Sequence, residues 1–188
     1  TDWFAANGSG YKYDQLDDFY SGLAWEAFLI DPNPADTTNT SFISAYNDTY
    51  GQTQKQYISR SGSQGEYNFA ASANIMHKLY VGASIGLQSI RYKEVKVLQE
   101  IDSDDNINDF NSFSFNESLE TRVSGINFKV GLLYSPIPWM RFGGAVQTPT
   151  FYDLRDSYFT SVSSSFEDAD KSVNWDSPHG TFDYEINS

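Results

Sequence analysis

Strict alternation of apolar and polar residues on both sides of a short turn limits what this chain can fold into more than any other feature. After Met76-His77-Lys78, every second residue of segment 79–87 is apolar, and Tyr, Gly and Ser lie between them. Segment 66–75, before the turn, alternates in the same way. A period of two is typical of β-strands, so the pattern predicts an antiparallel hairpin.

A second hairpin is predicted around Ser135-Pro136-Ile137-Pro138. Proline has no backbone N–H, so two prolines close together interrupt a sheet ladder and indicate a turn. Segments 126–134 and 140–148 alternate on either side of this turn, and their apolar sets contain no charge.

Weaker alternation predicts two more strands at 23–30 and 181–187, which makes about six antiparallel strands in one all-β domain over residues 1–188. Segments 31–50, 99–117 and 156–178 are rich in Asp, Asn, Ser and Thr and are predicted to be long loops. They carry most of the acidic charge.

One apolar face fits either a soluble β-sandwich or the wall of a transmembrane β-barrel. Three features favour the barrel wall: short turns at one end of the strands with long loops at the other, uncharged stretches of about 9–11 residues, and aromatics beside the turns. The small residues of the polar face also suit a wet lumen. A soluble sandwich that binds glycans or a protein partner stays open as the alternative.

Composition excludes several classes of function. The net charge of -13, with 12 basic against 25 acidic residues, argues against a nucleic-acid partner. The absence of cysteine excludes disulfides and a thiolate nucleophile. The chain has no signal-peptide pattern at its start and no apolar run of about 18 residues, as a transmembrane helix needs.

The sequence predicts no enzyme, cofactor or metal site. His77 and His179 are assigned to turns, and no Gly-x-Ser-x-Gly elbow is present. Asp102, Asp104 and Asn106 match the start of a calcium loop, but the glycine and the closing glutamate of that loop are missing, which favours a solvated acidic loop.

Several segments resemble the FadL/TodX-type outer-membrane transporters of hydrophobic compounds, in their Bacteroides-like form. The resemblance covers nearly the whole chain, and each motif is a strand pattern of moderate specificity. The matching segments are 65–69, 74–86, 125–131, 139–143, 148–152 and 183–185.

The resemblance implies a location in the outer membrane and passive uptake of long-chain fatty acids or aromatic hydrocarbons. Such transporters resemble a plugged barrel of about fourteen strands, and this chain is expected to be a central portion without the plug. The expected partners are a hydrophobic small molecule, membrane lipid or lipopolysaccharide, and a second copy paired through open strand edges. The lumen-facing candidates for ligand binding are Lys129, Arg141, Asn127, Gln147 and Gln88, with Lys129 and Arg141 as partners for a carboxylate.

Overall fold

The computed structural model describes residues 1–46, 52–105 and 107–187. The fold is all-β, with long antiparallel strands that run up and down, as the alternation predicts. Two short helices come first, followed by the strands. The elements are α1 (Asp2–Gly8), α2 (Ser21–Glu26), β1 (Ile30–Pro32), β2 (Phe42–Ser44), β3 (Thr53–Ile75), β4 (Leu79–Ile101), β5 (Ser112–Ile137), β6 (Met140–Gln147), β7 (Phe151–Ser165), β8 (Val173–Asp176) and β9 (Gly180–Asn187).

The main sheet has the strand order β3-β4-β5-β7-β8 and does not close on itself among the described residues. Strand β6 pairs with β5, and β9 pairs with β7. Consequently β6 and β7 follow one another along β5, and β8 and β9 follow one another along β7. Strands β1 and β2 form a separate antiparallel pair.

Each of these two composite strands is interrupted by a bulge of the same kind, and each bulge contains a proline. At the first, the Thr148 N–H donates to the Phe128 carbonyl at 2.9 Å, and the Phe128 N–H donates to Thr148 Oγ1 at 3.0 Å. At the second, Ser177 and Thr160 exchange equivalent bonds of 2.9 Å. A hydroxyl residue before Pro149 or Pro178 therefore accepts an amide proton of the neighbouring strand where the chain departs from the ladder.

The chain divides into two compact units. Unit 1 comprises residues 1–60, 94–119 and 157–180, and unit 2 comprises 61–93, 120–156 and 181–188. Unit 1 has an apolar core in which both helices take part, with the rings of Phe4 and Phe115 edge to face at 5.1 Å. The best buried side chains of that core are those of Leu29, Ile30, Phe110, Phe113 and Val162.

Strands β4 and β5 of unit 2 expose their apolar face, whereas a soluble sheet exposes its polar face. Ile85, Leu87, Phe128, Val130 and Leu132 leave 41–52% of their surface exposed. The residues between them on the same strands belong to the other face and are more buried. The apolar faces of β4 and β5 thus lie side by side on one sheet and are exposed.

The predicted strand at 23–30 is wrong, since α2 occupies its first half and only Ile30 belongs to a strand. The carboxylate of Asp17 accepts hydrogen bonds from the amides of Phe19, Tyr20 and Ser21 at 2.6–3.1 Å and so holds the turn that leads into this helix. The apolar run itself is buried in the unit 1 core, and periodicity alone does not separate a short buried helix from a strand.

The predicted loops are shorter than expected, and the strands are longer. The connection from β4 to β5 covers only 102–111, strand β7 enters the predicted loop at 156–178 and extends to Ser165, and β8 lies within that loop. The described part of the chain contains nine strands rather than about six. Polar residues in these extensions concealed them, because hydroxyl and amide side chains can line a strand as well as a loop.

The two predicted hairpins are present. The first turns at Met76-His77, where both residues have positive φ (52° and 58°), as a two-residue hairpin turn with matching twist requires. The second turns at Pro138-Trp139, slightly later than predicted, because Pro136 lies in a bulge within β5. Strand β9 confirms the strand predicted at 181–187.

Candidate functional site

The more buried face of unit 2 gathers polar side chains from neighbouring strands, and four of them come from three strands. Gln88 lies on β4, Asn127 and Lys129 lie on β5, and Glu66 lies on β3. Gly86 provides the space between them: a Cβ at that position would lie 2.5 Å from Glu66 Oε1 and 2.7 Å from Asn127 Oδ1. Position 86 therefore has to be glycine for these two oxygens to converge.

Asn127 is the most enclosed of these residues, with 1% of its surface exposed. Its Nδ2 donates to Thr150 Oγ1 at 3.4 Å, whereas its Oδ1 has no hydrogen-bond partner among the described residues. A buried acceptor without a partner costs about 1–3 kcal/mol. Asn127 is thus a buried polar residue whose Oδ1 could still accept a hydrogen bond.

Lys129 and Gln88 have partners on other strands. Lys129 Nζ lies 3.9 Å from Glu66 Oε1, and each side chain is more than one-third exposed, so the ion pair is loose. The Tyr152 hydroxyl donates to Gln88 Oε1 at 2.6 Å. Gly125 makes room for this tyrosine, since a Cβ there would lie 2.7 Å from its ring.

A cleft of about 960 Å³ opens in unit 2 beside Lys129. Its lining comes from β3, β4, β5 and β6 and consists mainly of small and apolar residues, with Lys129 as the only cation. The lining residues that lie on the polar face include Ala70, Ser72, Gly82, Ser84, Gly131, Leu133, Gly143 and Ala145.

The structure does not bring Lys129 and Arg141 together. Lys129 pairs with Gln147 across β5 and β6, and Arg141 lies six residues further along β6. Six residues of strand span about 20 Å, so one carboxylate cannot contact both cations. Arg141 is exposed near the second turn, and Gln147 is exposed beside Lys129.

Unit 1 contains a separate cluster around Glu117. The hydroxyls of Tyr20 and Tyr158 donate to Glu117 Oε1 at 3.1 and 2.9 Å, and they also contact one another. Lys96 Nζ lies 3.8 Å from Glu117 Oε2. Burial and the adjacent carboxylate raise the pKa of Tyr20, so its hydroxyl stays protonated and serves as a donor.

This cluster borders a pocket of about 220 Å³ that Trp3, Phe4, Phe115 and Leu98 also line. No sequence pattern predicts this cluster, because Tyr20 is 97 residues from Glu117 and 138 from Tyr158 along the chain. The contacts of Glu66, Thr150 and Tyr152 were not predicted either, although Glu66 has a sequence signal as a member of the alternating polar face.

In the described part of the chain, no group of three His, Cys, Asp or Glu side chains could hold a metal ion together. Asp102 Oδ2 instead accepts the amide of Ile107 at 2.7 Å. Asn106 lies outside the described residues. Across the same ranges, no helix combines the length and the apolar character needed to span a bilayer.

Comparison with models of known protein families finds no match, and comparison with curated proteins finds no similar sequence.

Proposed function

We propose that this chain forms part of the wall of an outer-membrane channel for passive uptake of hydrophobic small molecules, such as long-chain fatty acids or aromatic hydrocarbons. The observation that carries the proposal is the polarity of β4 and β5 in unit 2, where apolar side chains are exposed and the polar face is more buried. Lipid is the solvent that would cover such a face without cost.

The dimensions of the exposed face support a bilayer environment. On β5 the apolar residues run from Ile126 to Ile137, which corresponds to about 37 Å of strand. A strand tilted by about 40° crosses about 28 Å of membrane over that length, close to the apolar band of outer-membrane barrels. Trp139 and Met76, 80% and 86% exposed, lie at the turns, where interfacial side chains are common.

The cleft supports an amphipathic cargo. Small residues on four adjacent strands leave room for an apolar tail, and Lys129 offers one cation for a carboxylate head. Glu66 lies within 3.9 Å of that cation, so an incoming carboxylate competes with a weak internal partner. Passage of this kind needs no covalent chemistry.

Reconstitution of two variants into lipid vesicles tests the membrane assignment. Ile85→Arg puts a charge on the exposed apolar face, and we expect it to destabilise the inserted chain by about 2–4 kcal/mol. Ser84→Arg is the matched control, since it adds the same charge one residue away on the cleft face. Equal effects of both variants, or a chain that is a monodisperse monomer without detergent, would refute insertion and favour a soluble surface-binding module.

A further inference from the structure

Four cations of unit 2 form one row on its exposed face. Arg91 and Lys93 lie on β4, Arg122 on β5 and Arg155 on β7, and all four are exposed. We call them the cation row. The chain has only 12 basic residues, and one third of them belong to this row.

The strand register places Arg91 opposite Arg122. The Ser135 amide donates to the Lys78 carbonyl at 2.7 Å, and eight residues further along both strands Gly86 adjoins Asn127. Five more residues in the same register bring Arg91 to Arg122. Both Arg91 and Lys93 also lie close enough to Glu120, two residues from Arg122, for their charges to act on it.

Arg155 continues the row on the next strand. Thr121 Oγ1 donates to Asp156 Oδ1 at 2.6 Å on the polar face, so positions 121 and 156 adjoin. Their neighbours Arg122 and Arg155 therefore adjoin on the opposite, exposed face, because successive side chains of a strand alternate between faces.

Internal carboxylates neutralise only part of the row. Arg122 Nε pairs with Glu120 Oε1 at 2.8 Å, and Arg155 Nε pairs with Asp183 Oδ1 at 2.7 Å. Arg91 and Lys93 have no ion pair within 4.0 Å in the described ranges. Like charges on adjoining strands destabilise a sheet, so a bound anion would relieve the β4–β5 part of the row.

The three arginines of the row lie at a constant distance from the apolar face, and Lys93 lies two residues further along β4. Four residues separate Leu87 from Arg91, Ile126 from Arg122, and Phe151 from Arg155. That spacing is about 13 Å along each strand. With a tilt of about 40° it becomes about 10 Å of height, which places the guanidinium groups in the headgroup layer above the hydrocarbon.

A shallow cleft of about 430 Å³ opens at the apolar residues that lie nearest to the row. Leu87, Ile126 and Phe151 line it together with the small residues Ser124 and Gly125, whereas Asp153 and Glu185 lie on its β7–β9 side. None of the four cations lines this cleft; on its β4–β5 side, Arg91 and Arg122 lie four residues along their strands from the lining residues Leu87 and Ile126.

We propose that the cation row binds the phosphates of a lipopolysaccharide-type glycolipid, with an acyl chain of that lipid in the cleft. The inference rests on the proposed function. Guanidinium groups match phosphate oxygens in a bidentate way, and Arg91 and Lys93 are available for them. The row lies away from the short turns, toward the end of the strands that faces the outer leaflet in outer-membrane barrels.

The experiment compares lipid binding by three forms of the full chain in detergent micelles, with native mass spectrometry as the readout. The row variant is Arg91→Gln/Lys93→Gln/Arg122→Gln. The control variant, Lys12→Gln/Lys55→Gln/Lys78→Gln, loses the same charge at exposed positions outside the row. The probes are diphosphoryl lipid A and the same lipid without its phosphates, and circular dichroism verifies that each variant is folded.

We expect the row variant to bind diphosphoryl lipid A about tenfold more weakly than the unmodified chain, which corresponds to 1.4 kcal/mol. The control should stay within about twofold of the unmodified chain, and the lipid without phosphates should bind all three forms equally weakly. Equal binding by the row variant and the control, or equal binding of both lipids by the unmodified chain, overturns the inference. A chain that needs no detergent would instead overturn the proposed function.

Discussion

Asn127 and Gly86 fit together across β4 and β5, and the amide oxygen of Asn127 fills space that any side chain at position 86 would need. A Cβ at Gly86 would lie 2.7 Å from Asn127 Oδ1, closer than van der Waals contact allows. The Asn127 side chain has little room to move, since only 1% of its residue surface is exposed, whereas the carboxylate of Glu66 on the other side is more exposed. The polar face of unit 2 thus depends on one glycine.

Gly86→Ala should therefore destabilise the folded chain by about 1–3 kcal/mol, the usual cost of overpacking a site that cannot relax. Chemical denaturation in detergent measures this free energy of unfolding. Gly144→Ala is the control, because a Cβ there meets no atom within 4 Å, and we expect it to change stability by less than about 0.5 kcal/mol. Similar losses at both positions would show that the contact with Asn127 does not matter.

Lys129→Gln should weaken binding of a long-chain fatty acid by about 10- to 100-fold, since a hydrogen bond to a charged group is worth about 1.5–3 kcal/mol. Binding of the fatty alcohol of equal chain length should not change, because it has no carboxylate. Arg141→Gln, about 20 Å away along β6, should leave both affinities unchanged. A titration in which Lys129→Gln affects acid and alcohol alike would argue against a carboxylate at Lys129.

Thr148→Val should destabilise the chain by about 0.5–1.5 kcal/mol, because it removes the hydroxyl that accepts a hydrogen bond from the Phe128 amide at the first bulge. Thr148→Ser keeps the hydroxyl and should have close to the original stability. Thermal unfolding of the two variants in the same detergent makes the comparison. If the serine variant loses as much as the valine variant, the bulge does not depend on the hydroxyl.

Asp36 should make the loop after β1 sensitive to acid. Hydrogen bonds from Thr38, Thr40 and Ser41 hold the pKa of Asp36 well below its usual range. A carboxylate whose pKa is lower in the folded state stabilises that state above its unfolded pKa of about 3.9, and this stabilisation is lost as the pH falls through the lower folded value.

Amide hydrogen exchange measures this effect locally. Protection of the Thr40 and Ser41 amides, corrected for intrinsic exchange rates, should be constant from pH 7 to about pH 4.5 and should decrease below about pH 4. Asp36→Ala should remove most of this protection at every pH. Protection that persists in Asp36→Ala would mean that the loop is held by other contacts.

The hairpins of unit 2 could be predicted from the sequence because their signal is local: alternation of apolar and polar residues sets both the strand and the face that each residue occupies. The second half of β7, residues 157–165, gave no such signal. Its buried positions include Thr160 and Ser164 beside Val162, so a strand within unit 1 has the composition of a loop. The helices of unit 1 were missed because their apolar runs are too short for a 3.6-residue period to be clear.

The membership of the polar face was also predictable, and its geometry was not. Gln88, Asn127 and Lys129 were assigned to that face from their parity along the strand. The register between strands decides which of these side chains contact one another. Bulges such as the one at 148–150 shift that register by one residue. For that reason Glu66 next to Lys129, and the large separation of Arg141, could be read only from the structure.

Spin labels on the two faces of β5 show directly which face contacts lipid. The chain has no cysteine, so Val130→Cys and Gly131→Cys each introduce a single site for a spin label on opposite faces of one strand. A Cβ at Gly131 is 3.8 Å from its nearest neighbour, so the substitution fits.

In lipid vesicles, we predict that the label at 130 collides mainly with oxygen, which concentrates in the bilayer, and the label at 131 mainly with a water-soluble nickel chelate. Preferential collision of both labels with the nickel chelate would contradict a lipid-facing wall.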